Sequence, residues 1–252
     1  MPKTYSETKL IRTSNCDLTG HWRASSILAL MQELGGTHAH FLGCGRDVML
    51  AENLVWVLYR TELVMSRYPA VGETVRVDTF PMGNKRWFFP RYFLFYDEAG
   101  NEIGKAATLW VLMDVVERRM AAPDMLPCAL PDNADLTAPM ALPGNIAVIE
   151  GETQVSEYLP TNMDIDVNLH VNNTRYADIL CNALPLDTLR EKEFAHLLIH
   201  YQREVRPGLR LELHLQQDGD RLRLTGIHQG EKFFDLSAEL RCREEDGERP
   251  LA

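Results

Sequence analysis

Residues 164–185, DIDVNLHVNNTRYADILCNALP, and residues 15–43, NCDLTGHWRASSILALMQELGGTHAHFLG, decide the fold. In each, an aspartate stands four residues before a histidine, Asp166 before His170 and Asp17 before His21, and a helical stretch follows. The helical reading rests on spacing. Ile27, Met31, Leu34, His38 and Phe41 recur every three or four positions, as do Tyr176, Leu180 and Leu184, so each stretch carries one apolar face. A strand follows in each half, LVWVLYRTEL at 54–63 and HLLIHYQREV at 196–205, with Tyr59-Arg60-Thr61-Glu62 answering Tyr201-Gln202-Arg203-Glu204.

Working outward, both halves then alternate with a period of two. Val75, Val77 and Thr79 alternate with charged or polar neighbours; Leu209, Leu211, Leu213 and Leu215 do the same, and so do Leu222 and Leu224. Turn chemistry separates these runs at 97–101, 218–220 and 229–231. Each half is therefore one helix with several antiparallel strands, an α+β arrangement in which a long central helix buries its stripe against a curled sheet. Five of the thirteen prolines (Pro123, Pro127, Pro131, Pro139, Pro143) fall between the halves. They remove donors and interrupt helices, which predicts an N-terminal unit over 1–121, a linker over 122–146 and a C-terminal unit over 147–252.

Composition narrows the function. A hydrophobic fraction of 45% in 252 residues is ample for a packed core. The opening MPKTYSETKLIRTS lacks the apolar centre of a secretory signal, and no run of about 18 apolar residues occurs, so a cytoplasmic chain without a membrane span is expected. The net charge of −10 argues against general nucleic-acid binding. Five scattered cysteines contain no C-x-x-C pair, His38 and His40 diverge on a helix, and His196 and His200 have no completing ligands, so no metal and no cofactor are expected. A G-x-S-x-G elbow and a dinucleotide fingerprint are both absent.

The chemistry concentrates in residues 162–173, NMDIDVNLHVNN. Asp and Asn cap helices, and Asn172 or Asn173 suits that role. If residues 164–170 are extended or tightly turned, however, Asp166, Asn168 and His170 at i, i+2 and i+4 project to one side. An anionic base, an amide and an imidazole then surround one point beside a helix N-terminus whose free N–H groups can hold an oxyanion. Those are the parts of an acyl-transfer or hydrolysis site.

At these residues the sequence resembles a known family. DIDVNLHVNN, the tyrosine three residues later, and YQRE placed 34 residues after the histidine resemble the acyl-acyl carrier protein (acyl-ACP) thioesterases of plant plastids and bacteria. LIRTSNCDLTGHWRASSILALMQELGGTHAHFLG and WVLYRTEL extend the likeness over nearly the whole chain. The resemblance implies two tandem hot-dog domains with the catalytic residues in the second, carried over as Asp166, Asn168, His170 and Glu204. It implies hydrolysis of a fatty acyl thioester on acyl carrier protein, with that acyl-phosphopantetheine carrier as partner. Plant members have a cysteine immediately after the glutamate, where Val205 stands here, so water attack or a carboxylate must serve. The first half keeps Asp17, His21 and Glu62 but has Thr19 and Gly20 where the second has Asn168 and Leu169, so one active site per chain is expected.

The oxyanion is expected on N–H groups near His170–Asn172, with Asn168 assisting, and Glu204 is expected half-buried in a strand. Met31, Leu34, Gly35 and His38 are candidates for the wall of an acyl tunnel, and Asn172 for a substrate contact. Ordinary core packing accounts for each of the tunnel candidates equally well. An acidic carrier needs a basic landing area, for which Lys85, Arg86 and Arg91, or Arg203, Arg206 and Arg210, are candidates. The rivals are a coenzyme A thioesterase, a hot-dog enoyl-thioester hydratase, whose motif places the histidine one residue farther on, and a noncatalytic acyl-thioester binding module. Exposed sheet edges allow a homodimer, unless the two fused halves already satisfy them.

Overall fold

Alternating segments and helical stripes resolve into two similar halves. In the computed structural model, which describes residues 3–243, the first half runs β1 (Tyr5–Leu10), α1 (Ala24–Phe41), α2 (Arg46–Ala51), β2 (Leu54–Met65), β3 (Thr74–Pro81), β4 (Phe89–Tyr96), β5 (Glu102–Asp114) and β6 (Arg119–Met120). The second runs β7 (Thr153–Tyr158), α3 (Arg175–Asn182), α4 (Leu186–Glu191), β8 (Lys192–Tyr201), β9 (Leu211–Asp218), β10 (Arg221–His228) and β11 (Glu231–Cys242). All strands join one 11-stranded antiparallel sheet of order β1-β3-β4-β5-β2-β8-β11-β10-β9-β7, with β6 paired to β5. The order repeats itself outward from the β2–β8 seam. Edge strands that would otherwise stand open are thus paired inside the chain.

The helices fill the concave side. On α1, Ile27, Leu28, Met31 and Leu34 are buried with Val75, Val77, Phe93 and Phe95 of the sheet, each such side chain contributing about 1.5–3 kcal/mol on burial. Phe41, predicted on that stripe, is instead 53% exposed at the end of the helix. The second helix is much shorter, eight residues against 18, because the chain turns at Ala183 and Leu184 and Pro185 precedes α4. This is the α+β arrangement expected from the sequence pattern, and it has the helix-on-curled-sheet form of the hot-dog fold that the resemblance implies.

The proline-rich crossover carries a short 3-10 turn at Pro123–Met125 and no strand, and it packs along the first half. Leu126, Cys128 and Leu130 cover the cluster around Leu42, Met49 and Leu112; Leu136, Ala138 and Met140 cover Phe80 and Tyr92. Buried Asn133 donates to the Pro81 carbonyl at 2.7 Å. Farther on, Arg60 donates to the carbonyls of Pro143 and Gly144, and His200 Nε2 lies 2.8 Å from the latter.

Backbone hydrogen bonds identify counterparts between the halves. Trp22 N–H donates to the Pro69 carbonyl and Val171 N–H to the Val205 carbonyl, both at 2.8 Å. Ser66 and Arg67 both donate to Ile103, as Gln202 and Arg203 do to Phe233. At the seam, Glu62 pairs with Leu198, which is also its counterpart. The residue equivalent to Glu204 is therefore Tyr68, one before Pro69, and not Glu62. The YRTE and YQRE likeness is six residues out of structural register.

Candidate active site

Residues 166–170 form a tight hairpin turn closed by Asp166 N–H donating to the His170 carbonyl and Leu169 N–H to the Asp166 carbonyl, each at 3.0 Å. Leu169 takes a left-handed φ of 62°, and its counterpart is Gly20 at 80°, so the same turn recurs in both halves. In the first half the turn has the residue that this conformation favours; in the second it has a leucine 71% exposed.

The turn brings three of the four predicted catalytic side chains together. Asp166 Oδ1 accepts Asn168 N–H at 2.8 Å, its Oδ2 lies 3.5 Å from Asn168 Nδ2, and His170 Nδ1 stands 3.7 Å from Oδ1. His170 Nδ1 also lies 3.3 Å from the Val171 carbonyl, an acceptor, which favours the tautomer with the proton on Nδ1 and leaves Nε2 as the open nitrogen. The side chains of Asp166 and His170 are 13% and 21% exposed, accessible but partly dry.

The fourth makes no hydrogen bond or ion pair with them. Glu204 lies beyond the end of β8, and its side chain is 57% exposed and paired with Arg206 at 2.8 Å, so the half-buried strand carboxylate expected from the sequence is not found. The backbone beside it runs along the turn through the Val171–Val205 bond.

The expected backbone donors also change. Val171 N–H is used by Val205, and Asn172 N–H donates to the Asp164 carbonyl at 2.8 Å. The amides of His170 and Asn173 donate to no acceptor among the described residues and remain for an oxyanion. Asn172 Oδ1 accepts Thr174 N–H at 2.9 Å just ahead of α3, whose N-cap is Thr174 and neither of the two asparagines expected there.

Just past this turn, at Asn173 and Thr174, a small apolar groove of about 20 Å³ reaches into the first half, room for about one water. Asn173, Thr174 and Tyr201 form its near end; Leu28, Met31, Gln32, Leu58, Thr61, Phe93, Thr108 and Trp110 form the rest. Tyr201 donates to the Asn173 carbonyl at 3.0 Å and stands edge-on to Tyr176, which packs on Phe234. Burial raises both tyrosine hydroxyls, and the nearby Asp166 charge raises Tyr176 further, so both are neutral donors. Sequence spacing missed Tyr201 of β8 and Thr108 and Trp110 of β5, which come from opposite halves and meet only in the fold.

Of the tunnel candidates, Met31 lines the groove, whereas Leu34 is wholly in the core. Gly35 lies under Arg91 and Phe93, and His38 is buried with its Nδ1 3.1 Å from Arg91 Nη1. Arg91 was expected on a landing surface, but it is 8% exposed, hydrogen-bonded to Thr79 as well, and burial lowers its pKa to about 10. Its position on β4 explains this, since Arg91, Phe93 and Phe95 alternate toward the helix side. Arg203, Arg206 and Arg210 are surface residues already paired with Glu231, Glu204 and Glu157. Lys85 and Arg86 are exposed and form no ion pair among the described residues. Likewise no described helix is long and apolar enough to cross a membrane.

Known proteins share this architecture. The family model for the acyl-ACP thioesterase N-terminal domain matches residues 2–125, and that for the C-terminal domain matches residues 149–248. A chloroplastic oleoyl-acyl carrier protein thioesterase of Coriandrum sativum is 28% identical over 218 residues, covering 80% of this chain and 59% of the relative. A chloroplastic palmitoyl-acyl carrier protein thioesterase of Gossypium hirsutum is 28% identical over 163 residues, covering 62% of this chain and 40% of the relative. The chain thus spans about half the length of these curated relatives. The crystal structure of an acyl-ACP thioesterase from Bacteroides thetaiotaomicron superimposes with a TM-score of 0.87 over 95% of this chain and 98% of that one, at 21% identity, a likeness of fold.

Proposed function

The chain belongs to the acyl-ACP thioesterase family, and from that premise we propose that it hydrolyses fatty acyl-acyl carrier protein thioesters, releasing the free acid. The observation that carries the reading is the complete Asp166–Asn168–His170 turn, which occurs once and adjoins the apolar groove through Asn173 and Thr174.

In this mechanism the acyl chain enters the groove between α1 and the first-half sheet, and flexible Met31 and Gln32 side chains move aside to admit it. The thioester carbonyl then sits over the turn. Asp166 takes a proton from water through Oδ2, its less engaged oxygen, while the water oxygen bonds to the carbonyl carbon. The amides of His170 and Asn173, with the Asn168 side chain, hold the oxyanion. His170, with Nε2 open, orients the water or the carrier. When the tetrahedral intermediate collapses, the carbon–sulfur bond breaks and the proton held by Asp166 passes to sulfur, giving acid and thiol.

Acyl carrier protein is the partner in this reading, and Lys85 and Arg86 are better placed than the paired arginines to meet an acidic carrier. Any pairing of two chains through sheet edges would use β1 or β7, because β2 and β8 are joined to each other. The test is thiol release from acyl carrier proteins bearing short to long chains, beside the matching coenzyme A esters, with wild type and Asp166→Asn. Carrier-dependent turnover that collapses in the variant is the expected result; no thiol release from any ester overturns the proposal.

A further inference from the structure

A second cavity, of about 440 Å³, opens on the other side of the seam, within the roughly 300–1,000 Å³ range of small-molecule sites. It is the counterpart of the acyl groove under the internal repeat. Ala24, Cys181, Phe194 and Leu240 line it where Asn173, Gln32, Leu58 and Trp110 line the groove. Three of these exchanges, asparagine to alanine, glutamine to cysteine and tryptophan to leucine, remove bulk, while leucine to phenylalanine adds it. Its turn is Asp17–His21, the copy of Asp166–His170.

This copy is not arranged for hydrolysis. Asp17 Oδ1 accepts Thr19 N–H at 2.9 Å and Thr19 Oγ1 at 2.7 Å, and Oδ2 accepts Arg243 Nη2 at 2.7 Å. Burial pushes the Asp17 carboxyl up, but these bonds and the Arg243 charge outweigh it and hold it low, so it is a poor base. The four carboxylates of the cavity wall are each engaged, Asp17 and Glu193 with Arg243, Asp178 with Arg175 and Asp164 with Thr161, while three buried donor atoms are not. Tyr68, the counterpart of Glu204, is 6% exposed and its hydroxyl has no hydrogen-bond partner; Arg23 Nε and Arg243 Nε are also buried and unbonded. Arg23 forms no ion pair among the described residues and spends its Nη2 on the Ser14 and Cys16 carbonyls. Unmet buried donors beside an apolar floor call for an acceptor group on an apolar chain.

We propose that this cavity is a second, nonhydrolytic acyl site that binds a free fatty acid, its carboxylate toward Arg23 and Tyr68. The donor atoms are shielded from water, so binding requires the cavity wall around them to open. The proposal deepens the thioesterase reading, because its ligand is that reaction's product. Binding is measured without turnover, so the two readings fail separately.

The experiment is calorimetric titration with dodecanoate, and with its methyl ester as the neutral control, in wild type, Tyr68→Phe, Cys181→Trp and Met31→Trp. Carboxylate-dependent binding is expected to persist in Met31→Trp, where only the groove is blocked, and to vanish in Cys181→Trp, where the bulk is restored. Tyr68→Phe keeps the buried ring and is expected to weaken binding about tenfold, the loss of one hydrogen bond to a charged group. Binding that survives Cys181→Trp, or is lost in Met31→Trp, or is equal for acid and ester, overturns the proposal, as does no binding to wild type. Should Cys181→Trp fail to fold, the Tyr68→Phe and Met31→Trp results decide.

Discussion

Replacing Asp166 by asparagine, beside the same change at Asp17, separates chemistry from stability because the two residues occupy copies of one turn. Asparagine at 166 keeps an oxygen to accept the Asn168 N–H, now at 2.8 Å, and breaks no ion pair closer than the 3.7 Å His170 contact. Stability should change by less than about 0.5 kcal/mol, a Tm shift within about 2 °C. Loss of the base should lower turnover about 10²–10⁴-fold, or about 3–5 kcal/mol of barrier. At Asp17 the pattern reverses. Asparagine there loses the 2.7 Å pair with Arg243, whose side chains are 23% and 14% exposed. That environment lies between surface and buried pairs, so a loss of about 1–3 kcal/mol is expected, lowering Tm by about 2–12 °C. The assays are thiol release from acyl-ACP and thermal unfolding by circular dichroism. The reasoning is refuted if Asp17→Asn loses turnover as steeply as Asp166→Asn at an unchanged Tm, or if Asp166→Asn keeps more than about a tenth of wild-type turnover.

Glu204→Gln removes an exposed pair with Arg206 and should alter kcat/KM by less than about fivefold; a hundredfold loss in the same assay would restore Glu204 to the chemistry. Leu169→Gly relieves a left-handed leucine, worth about 1–2 kcal/mol, against about 0.5–1 kcal/mol of glycine flexibility, so Tm should rise by about 1–4 °C, with a fall counting against the strain. Gly226→Ala places a Cβ against the buried Phe234 ring and should destabilise by about 1–3 kcal/mol in urea unfolding; an unchanged midpoint would show that the sheet yields there. At Asp235, burial raises the carboxyl pKa, but Arg223 and Lys232 outweigh it and hold the group below its ordinary value. A folded pKa below the unfolded value of about 3.9 contributes stability that is complete above that pH and is lost as pH falls through the folded pKa. The stability gap between wild type and Asp235→Asn should therefore narrow as urea midpoints are followed from pH 6 to pH 3, and parallel curves would contradict the pairing.

The sequence by itself determined what depends on near neighbours. Residues 166–170 form their turn from side chains at most four positions apart, so the spacing of Asp166, Asn168 and His170 already contained their convergence. The apolar stripe of α1 and the alternation in β3, β9 and β10 likewise follow from periods of 3.6 and 2, and the repeated Asp–His spacing announced two related units. Register between the halves was not legible. The YRTE and YQRE strings look alike, yet the Trp22–Pro69 and Val171–Val205 bonds make Tyr68 the partner of Glu204. Burial was decided by the sheet: Arg91 looks like a surface cation among Lys85 and Arg86, but the alternation of β4 turns it inward against His38 and Thr79. The groove and the larger cavity are lined by residues from both halves, and the seam between β2 and β8 brings them together. Local hydrogen bonding fixes a turn, whereas a cavity is what remains after distant surfaces pack, and only the tertiary structure determines that remainder.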